Sequence, residues 1–428
     1  MADQRAYDRD PEDSLEPVGL IRQSGAILRV GRMMLSSGTA SYRVKEAMQA
    51  VAHALGIDRH SAAVTLTEIT ATSHRGSIFR TEVTEVRRTG VNAERIALLD
   101  AFRRDIPART TVDQVHAALD RIERRPALHP PVMNALFAGG ACAGFAVLNN
   151  ARALEVIAVL LAATAGQYVR RALAHRGFNP FGTTMLAAAL ACGVYLASVA
   201  TYRAFDVGVD VHASGYIACV LFLLPGFPLI TGALDMAKMD FSAGISRIVF
   251  GSMMTVGAAL SVWAMTLVSS LDTSVREPIP MDVLTHLGIT ALASFIGVLG
   301  FALMFNSPWR MAIAAAVIGM VANTVRKAMI EQGMMIQMAT VIGCVIVGVL
   351  AAIVARRIGS PVITLSVPAV LVQIPGVLVF QSVVSLNEAR YADTIGAILE
   401  VLLVVLSIMV GLVVAKLVTD RRWAFENG

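Results

Sequence analysis

The hydrophobic pattern divides the chain in two. From about residue 131 onward, apolar stretches recur at about 17–25 residues, the length that crosses roughly 30 Å of hydrocarbon. Ten are expected, at 132–149, 153–169, 181–203, 211–236, 244–270, 283–305, 309–325, 334–355, 361–386 and 391–416. Ahead of them the apolar positions follow the spacing of water-facing elements. Residues 20–57 carry Ile27, Val30 and Met34 on one helical face, break at Ser36-Ser37-Gly38, and resume through Val44, Met48, Val51 and Leu55 to Gly56. AVTLTEITAT (63–72) and SIFRTEVTEVRR (77–88) are rich in β-branched residues around Ser73-His74-Arg75-Gly76, which predicts a hairpin. Two helices are expected over 92–105 and 111–125.

The pattern therefore predicts an α-helical polytopic membrane protein with an N-terminal cytoplasmic α+β domain. The expected divisions are a disordered N-terminal tail over 1–19, the α+β domain over 20–130, and two membrane segments, 131–270 and 281–418. These two segments read as repeats. Pro225-Gly226 lies near the middle of the fourth stretch and Pro375-Gly376 near the middle of the ninth, 150 positions apart, and other stretches follow nearly the same offset. Five spans per half is an odd number, so the halves must face opposite ways, the inverted-repeat plan of many secondary transporters. Proline removes a backbone donor and glycine releases the chain from helical geometry. The freed backbone groups must face protein or a water-filled cavity rather than lipid.

Composition sharpens this picture. Of 428 residues, 56% are hydrophobic and 16% charged, too few charges for a chain solvated all round. The first 130 residues hold 19 of the 36 Lys+Arg and 17 of the 31 Asp+Glu. The net charge of +5 comes with no basic run interleaved with aromatics, which argues against nucleic acid as a partner. Cys142, Cys192, Cys219 and Cys344 stand far apart inside apolar stretches, with neither a disulfide framework nor metal-ligand spacing. The charged N-terminus lacks the apolar run of a cleaved signal peptide. With the N-terminal domain placed in the cytoplasm, eleven Lys and Arg fall on the inner side and six on the outer, so both termini are expected inside a cell membrane crossed many times.

Polar residues within the stretches are the candidate chemistry, because a carboxylate at mid-membrane costs about 2.5–3.5 kcal/mol even on mild scales. Glu400 lies deep in the tenth stretch, on one face with Asp393, Gly396 and Ala397, and Arg247 in the fifth stretch is its expected partner for proton coupling. Asp235 ends the second half of the broken fourth stretch, either as a solvated helix end or as a second coupling group. The ninth stretch offers Gln373 and Gln381 instead, so the two halves are chemically unequal. His53, His60 and His74 in the N-terminal domain fit no HExxH pattern, and no GxxxxGK[ST] sequence occurs anywhere. Neither a metal nor a cofactor is expected, and the chain does not read as an enzyme.

The run MLSSGTASYRVKEAMQAVAHALGI, the hairpin, TGVNAERIALLDAFRRDI and LLPGFPLITGALDMAKMDFSAG together resemble the threonine/serine exporter family, ThrE, over about residues 24–418. The resemblance implies a secondary exporter of small hydroxy amino acids driven by the proton-motive force, with a cytoplasmic N-terminal domain. It also implies the importance of Gly38, Arg43, Pro225, Gly226, Pro228 and Asp235. Some relatives carry the two portions on separate chains and export dicarboxylates. The sequence departs from the family pattern at Thr231, where an amide is expected, and at Leu234, where a basic residue is frequent.

The expected function is thus threonine/serine export, with Pro225, Gly226, Thr231, Asp235, Gln373, Pro375, Gly376 and Gln381 toward the substrate. Glu400, Asp235, Asp393 and Arg247 are expected to couple protons. Amides after a helix break suit a carboxylate and carbonyls before it suit an ammonium. The rivals are a dicarboxylate exporter of the same architecture and a membrane sensor whose cytoplasmic domain signals. The expected partners are an amino acid, protons and the lipid bilayer, and a homo-oligomer is left open.

Overall fold

A computed structural model describes residues 16–87, 89–205, 213–267, 281–374 and 388–425, with residues 378, 382, 385 and 386. The chain divides into two compact units. One comprises residues up to Pro126 together with Thr231–Arg247, and the other comprises Ala127–Ile230 and the chain from Ile248 onward.

In the first unit, α1 (Glu16–Ser36) and α2 (Ser41–Ala54) precede a sheet of β1 (Arg59–Val64), β2 (Glu68–Arg75) and β3 (Ile78–Glu85), followed by α3 (Ala93–Asp105) and α4 (Val112–Glu123). The helix-to-helix turn needs Gly38. Its φ of 92° lies in the left-handed region, and a Cβ there would stand 2.9 Å from the Gly90 carbonyl oxygen. The sheet is antiparallel in the order β1-β2-β3. The expected first hairpin strand, 63–72, is in fact cut in two. The Thr65 hydroxyl accepts from the backbone N–H groups of Thr67 and Glu68, at 3.4 and 3.1 Å, and closes a tight turn between β1 and β2. β2 pairs with β3 through a two-residue turn at Gly76, φ 58°, with Arg75 opposite Ile78. Ile69 and Ala71 on β2 face a core that also holds Ile27, Val30, Met34, Val44, Met48, Val51, Leu99 and Leu119. α3 is capped by Asn92, and α4 by a Thr111–Gln114 capping box.

The apolar helices are α5 (Pro131–Leu148), α6 (Ala153–His175), α7 (Pro180–Ala204), α8 (Ala213–Ala218), α9 (Gly226–Ala237), α10 (Phe241–Thr266), α11 (Val283–Met304), α12 (Trp309–Glu331), α13 (Ile336–Ile358), α14 (Val362–Leu371) and α15 (Tyr391–Thr419), before the short α16 (Arg421–Ala424). Among the described residues, eight helices are long and apolar enough to cross a membrane. Two shorter pieces, Gly215–Leu223 and Gly226–Ala237, pass that test as a pair bent by 61°. The expected ninth stretch, 361–386, is represented by α14, and Pro375, Gly376 and Gln381 beyond it lie outside the described residues.

Two helix ends differ from expectation. α6 and α12 run six residues past the ends of the apolar stretches 153–169 and 309–325, so Arg170, Arg171, Arg326 and Lys327 lie inside helices rather than in loops. Small residues set the packing of the second unit, as they do where helices associate in lipid. A Cβ on Gly144 of α5 would come within 2.8 Å of the Ala293 carbonyl oxygen of α11, and one on Gly300 of α11 within 2.5 Å of the Phe137 carbonyl oxygen.

Candidate functional site

The chain breaks its helical course between Leu223 and Gly226, where the proline at 225 cannot donate and the Gly226 N–H turns to the Leu224 carbonyl at 2.9 Å. A side chain on Gly226 would overlap Leu371, the last residue of α14. The structure thus brings the Pro225-Gly226 break against the end of α14, two residues before Gln373. That glutamine is fully buried; its Oε1 accepts from the Cys344 thiol at 3.4 Å, and its Nε2 has no partner among the described residues.

The far end of α9 carries a second cluster, within the first unit. Asp235 is fully buried, against the alternative of a solvated helix end. Its Oδ2 lies 3.2 Å from Arg247 Nε, and Arg247 is itself only 2% exposed. Arg247 also donates to Thr231 Oγ1 at 3.0 Å and to the Thr39 carbonyl at 2.8 Å. The pair forms because α9 and α10 are joined by three residues and touch at glycine. A Cβ on Gly244 would stand 2.8 Å from the Gly232 carbonyl oxygen, and Asp235 and Arg247 each follow one of these glycines by one helical turn.

Asp235 serves α2 as well. The residue before that helix, Ala40, has no side-chain acceptor, so the first-turn amides of α2 would be left unpaired. The Asp235 carboxylate accepts from the N–H groups of Ser41 at 2.9 Å and Tyr42 at 3.4 Å. Beside it, Asp240 accepts from the Ser41 hydroxyl and from Lys45 at 2.6 Å. Arg43, one turn on, pairs with the buried Asp100 at 2.7 Å. None of these contacts from the N-terminal helices could be read from the sequence; the acceptor-free Ala40 was the only trace of them.

Several sequence-predicted residues do not join this cluster. Arg247 is not the partner of Glu400: it is committed to Asp235, Thr231 and Thr39, while Glu400 is exposed on α15. A short connection between consecutive helices holds a partner more cheaply in chain entropy than a distant helix can. Asp393, in the first turn of α15, pairs with Arg390 at 3.0 Å, both side chains more than half exposed. Sequence reasoning missed Arg170 and Arg326. Arg326 is buried and donates from Nε to Thr340 Oγ1 at 2.8 Å. Arg170 reaches the Gln167 side chain and the Phe222 carbonyl, each at 3.3 Å. Among the described residues neither arginine has a carboxylate partner. No cluster of three metal-capable side chains occurs among the described residues.

Long apolar helices, with a further apolar pair bent at Pro-Gly, define a polytopic membrane protein. Residues 26–269 match the family described as "Putative threonine/serine exporter" and residues 290–418 match "Threonine/Serine exporter, ThrE"; the chain belongs to this family of membrane exporters. It is 24% identical over 370 residues to the "Probable threonine/serine exporter" of Mycobacterium tuberculosis, covering 83% of this chain and 68% of that one. It is also 26% identical over 254 residues to the "Probable succinate transporter subunit YjjP" of Escherichia coli, covering 56% of this chain and 93% of that one. The same-named protein of Klebsiella aerogenes is 27% identical over 245 residues, covering 55% of this chain and 89% of that one. No solved structure matches the chain.

Proposed function

We propose that this chain is a secondary transporter that exports threonine or serine, driven by the proton-motive force. In this reading it consists of two inverted five-helix repeats in the cytoplasmic (inner) membrane, with both termini and the α+β domain in the cytoplasm. The observation that carries it is the buried Asp235–Arg247 pair at the end of the broken helix. A proton taken up by Asp235 neutralises one member of the pair and loosens the other's hold, so one protonation changes how α9, α10 and the start of α2 are held together. One charge moved through 100 mV supplies about 2.3 kcal/mol, roughly a fiftyfold gradient. Of the carboxylates expected to couple protons, Asp235 combines burial with a buried cationic partner, whereas Glu400 is exposed and Asp393 is exposed and paired with an exposed arginine, Arg390.

The test is counterflow of labelled threonine, serine and succinate into proteoliposomes holding the full chain, with and without a pH gradient. Exchange of the hydroxy amino acids, with accumulation only under the gradient, is the expected result. Exchange of none of the three defeats the reading. A dicarboxylate exporter is the second reading, favoured by Arg170 and Arg326 lying inside helices and by the succinate named for the two YjjP relatives. Succinate exchange without threonine exchange would select it.

A further inference from the structure

A charge buried in a membrane protein is expected to be paired, because leaving it uncompensated costs several kcal/mol. Arg326 breaks this rule. It is 4% exposed, and among the described residues its only hydrogen bond runs from Nε to Thr340. No carboxylate among the described residues lies within ion-pair distance, and its two terminal nitrogens make no hydrogen bond there. Gln373 sits beside it: a Cβ on Gly343 would lie 2.8 Å from Gln373 Oε1 and 3.3 Å from Arg326 Cβ. Gln373 Nε2 is buried and unpaired among the described residues. One turn before Arg326 on the same helix, Asn323 is fully buried, donates to Ser294 Oγ at 2.8 Å, and leaves Oδ1 without a partner among the described residues. Two neighbouring buried side chains and a third one turn away on α12 therefore carry unfilled capacity among the described residues: cationic and amide donors, and one amide acceptor.

The other half of the chain carries the same device. Ala153 and Trp309, which open α6 and α12, are 156 positions apart; so are Arg170 and Arg326, and so are Gln167 and Asn323. Arg170 likewise lacks a carboxylate partner among the described residues and reaches the Phe222 carbonyl, just ahead of the first helix break. Each of α6 and α12 thus holds a buried amide followed three residues later by an arginine, half-buried at Arg170 and buried at Arg326. Packing alone gives no reason to retain two uncompensated guanidinium groups at matching positions.

We propose that Arg326 and Gln373 bind the carboxylate of the transported solute. The guanidinium fork takes the two carboxylate oxygens and Gln373 Nε2 adds a third donor, a geometry that suits arginine and not lysine. Asn323 Oδ1 accepts from the solute's ammonium or hydroxyl group, and α14 ends beside the site with the negative end of its dipole, which also favours an ammonium. Gly343 is required because a side chain there fills the space between Arg326 and Gln373. The proposal rests on the exporter reading for the identity of its ligand, but not for the existence of the site.

The test uses the purified full-length chain in detergent and follows its thermal midpoint with acetate, threonine, succinate and threoninol, the last lacking a carboxylate. The first three should raise the midpoint of the wild type, and threoninol should not. Gln373→Glu places a carboxylate against Arg326, so this variant should fold at least as stably as the wild type and lose the response to all three. Arg326→Lys should weaken it at least tenfold in concentration. A response within twofold of wild type in both variants, a response to threoninol equal to that of threonine, or no response of the wild type to any carboxylate would each overturn the site. Threonine binding stronger than succinate supports the amino-acid arm of the site, and the reverse order the dicarboxylate arm. Counterflow separates the two levels. Carboxylate binding through Arg326 without transport defeats the exporter reading and keeps the site, and transport unaffected in both variants defeats the site and keeps the exporter.

Discussion

The Asp235 carboxylate accepts from the backbone N–H of Ser41 at 2.9 Å, so a residue at the end of an apolar helix caps a helix 194 positions earlier in the chain. The same carboxylate neutralises Arg247. Asp235→Asn removes the charge from both relationships and leaves a buried guanidinium uncompensated. Breaking such a pair costs about 3–5 kcal/mol, and a large fall in the thermal midpoint of the purified protein is the expected outcome. The double variant Asp235→Asn/Arg247→Met should lose far less than the two single changes combined, because the second substitution removes the stranded charge. Additive losses would show that the two side chains act separately.

Gly244→Ala tests the contact that brings the pair together. The added methyl would meet the Gly232 carbonyl oxygen at 2.8 Å, backbone that cannot swing aside as a side chain would. The helices must then separate, lengthening the Asp235–Arg247 contact one turn on. A destabilisation of about 1–3 kcal/mol is expected, as for overpacking elsewhere. Gly25→Ala, where nothing lies within 4 Å of the added methyl, serves as the control and should be neutral or slightly stabilising. Equal midpoints for the two variants would contradict the close approach.

His60 supplies a pH dependence in the N-terminal unit. Its Nδ1 contacts Ser73 Oγ at 3.0 Å, its Nε2 is buried without a partner among the described residues, and burial holds its pKa below the usual 6.5. The unfolded chain therefore binds this proton more readily. Stability should be fully present above pH 6.5 and decline as the pH falls through the lowered value. His60→Gln should flatten that slope, and an NMR titration placing His60 at or above 6.5 would refute the account.

What the sequence revealed followed from how strictly each physical constraint acts. The bilayer imposes a minimum apolar length, so α5 to α13 were legible. Their ends were not, because the first charge was taken as the stop. In α6 and α12 the stop comes later, at Gly177 and Gly333, both with positive φ, with Arg170 half-buried and Arg326 buried ahead of them. β-branched residues announced the strands but not the Thr65 turn that divides them, since threonine serves strand and turn equally. The Pro225-Gly226 break could be read because proline acts locally. Asp235–Arg247 could not, because the depth of Glu400 drew the expectation to that residue while the three-residue connection and the Gly232–Gly244 contact decided the partner. The capping of α2 by Asp235 is a contact between distant segments, and no periodicity encodes it.

Moving Arg170 and Arg171 into a helix removes two basic residues from the expected inner side, and moving Arg326 and Lys327 removes two from the outer side, so the asymmetry that sets the orientation persists. Arg176 and Arg357, at the ends of α6 and α13, are exposed and should face the cytoplasm. Gln332, at the end of α12, is exposed and should face outward. The four native cysteines are all buried, so a single introduced cysteine can be read against a quiet background. A membrane-impermeant maleimide added to intact cells should label Gln332→Cys and spare Arg176→Cys and Arg357→Cys, and inside-out vesicles should give the reverse. Labelling of all three from one side would defeat the alternation of α6, α12 and α13 across the membrane, and labelling reversed in both preparations would place the N-terminal domain outside.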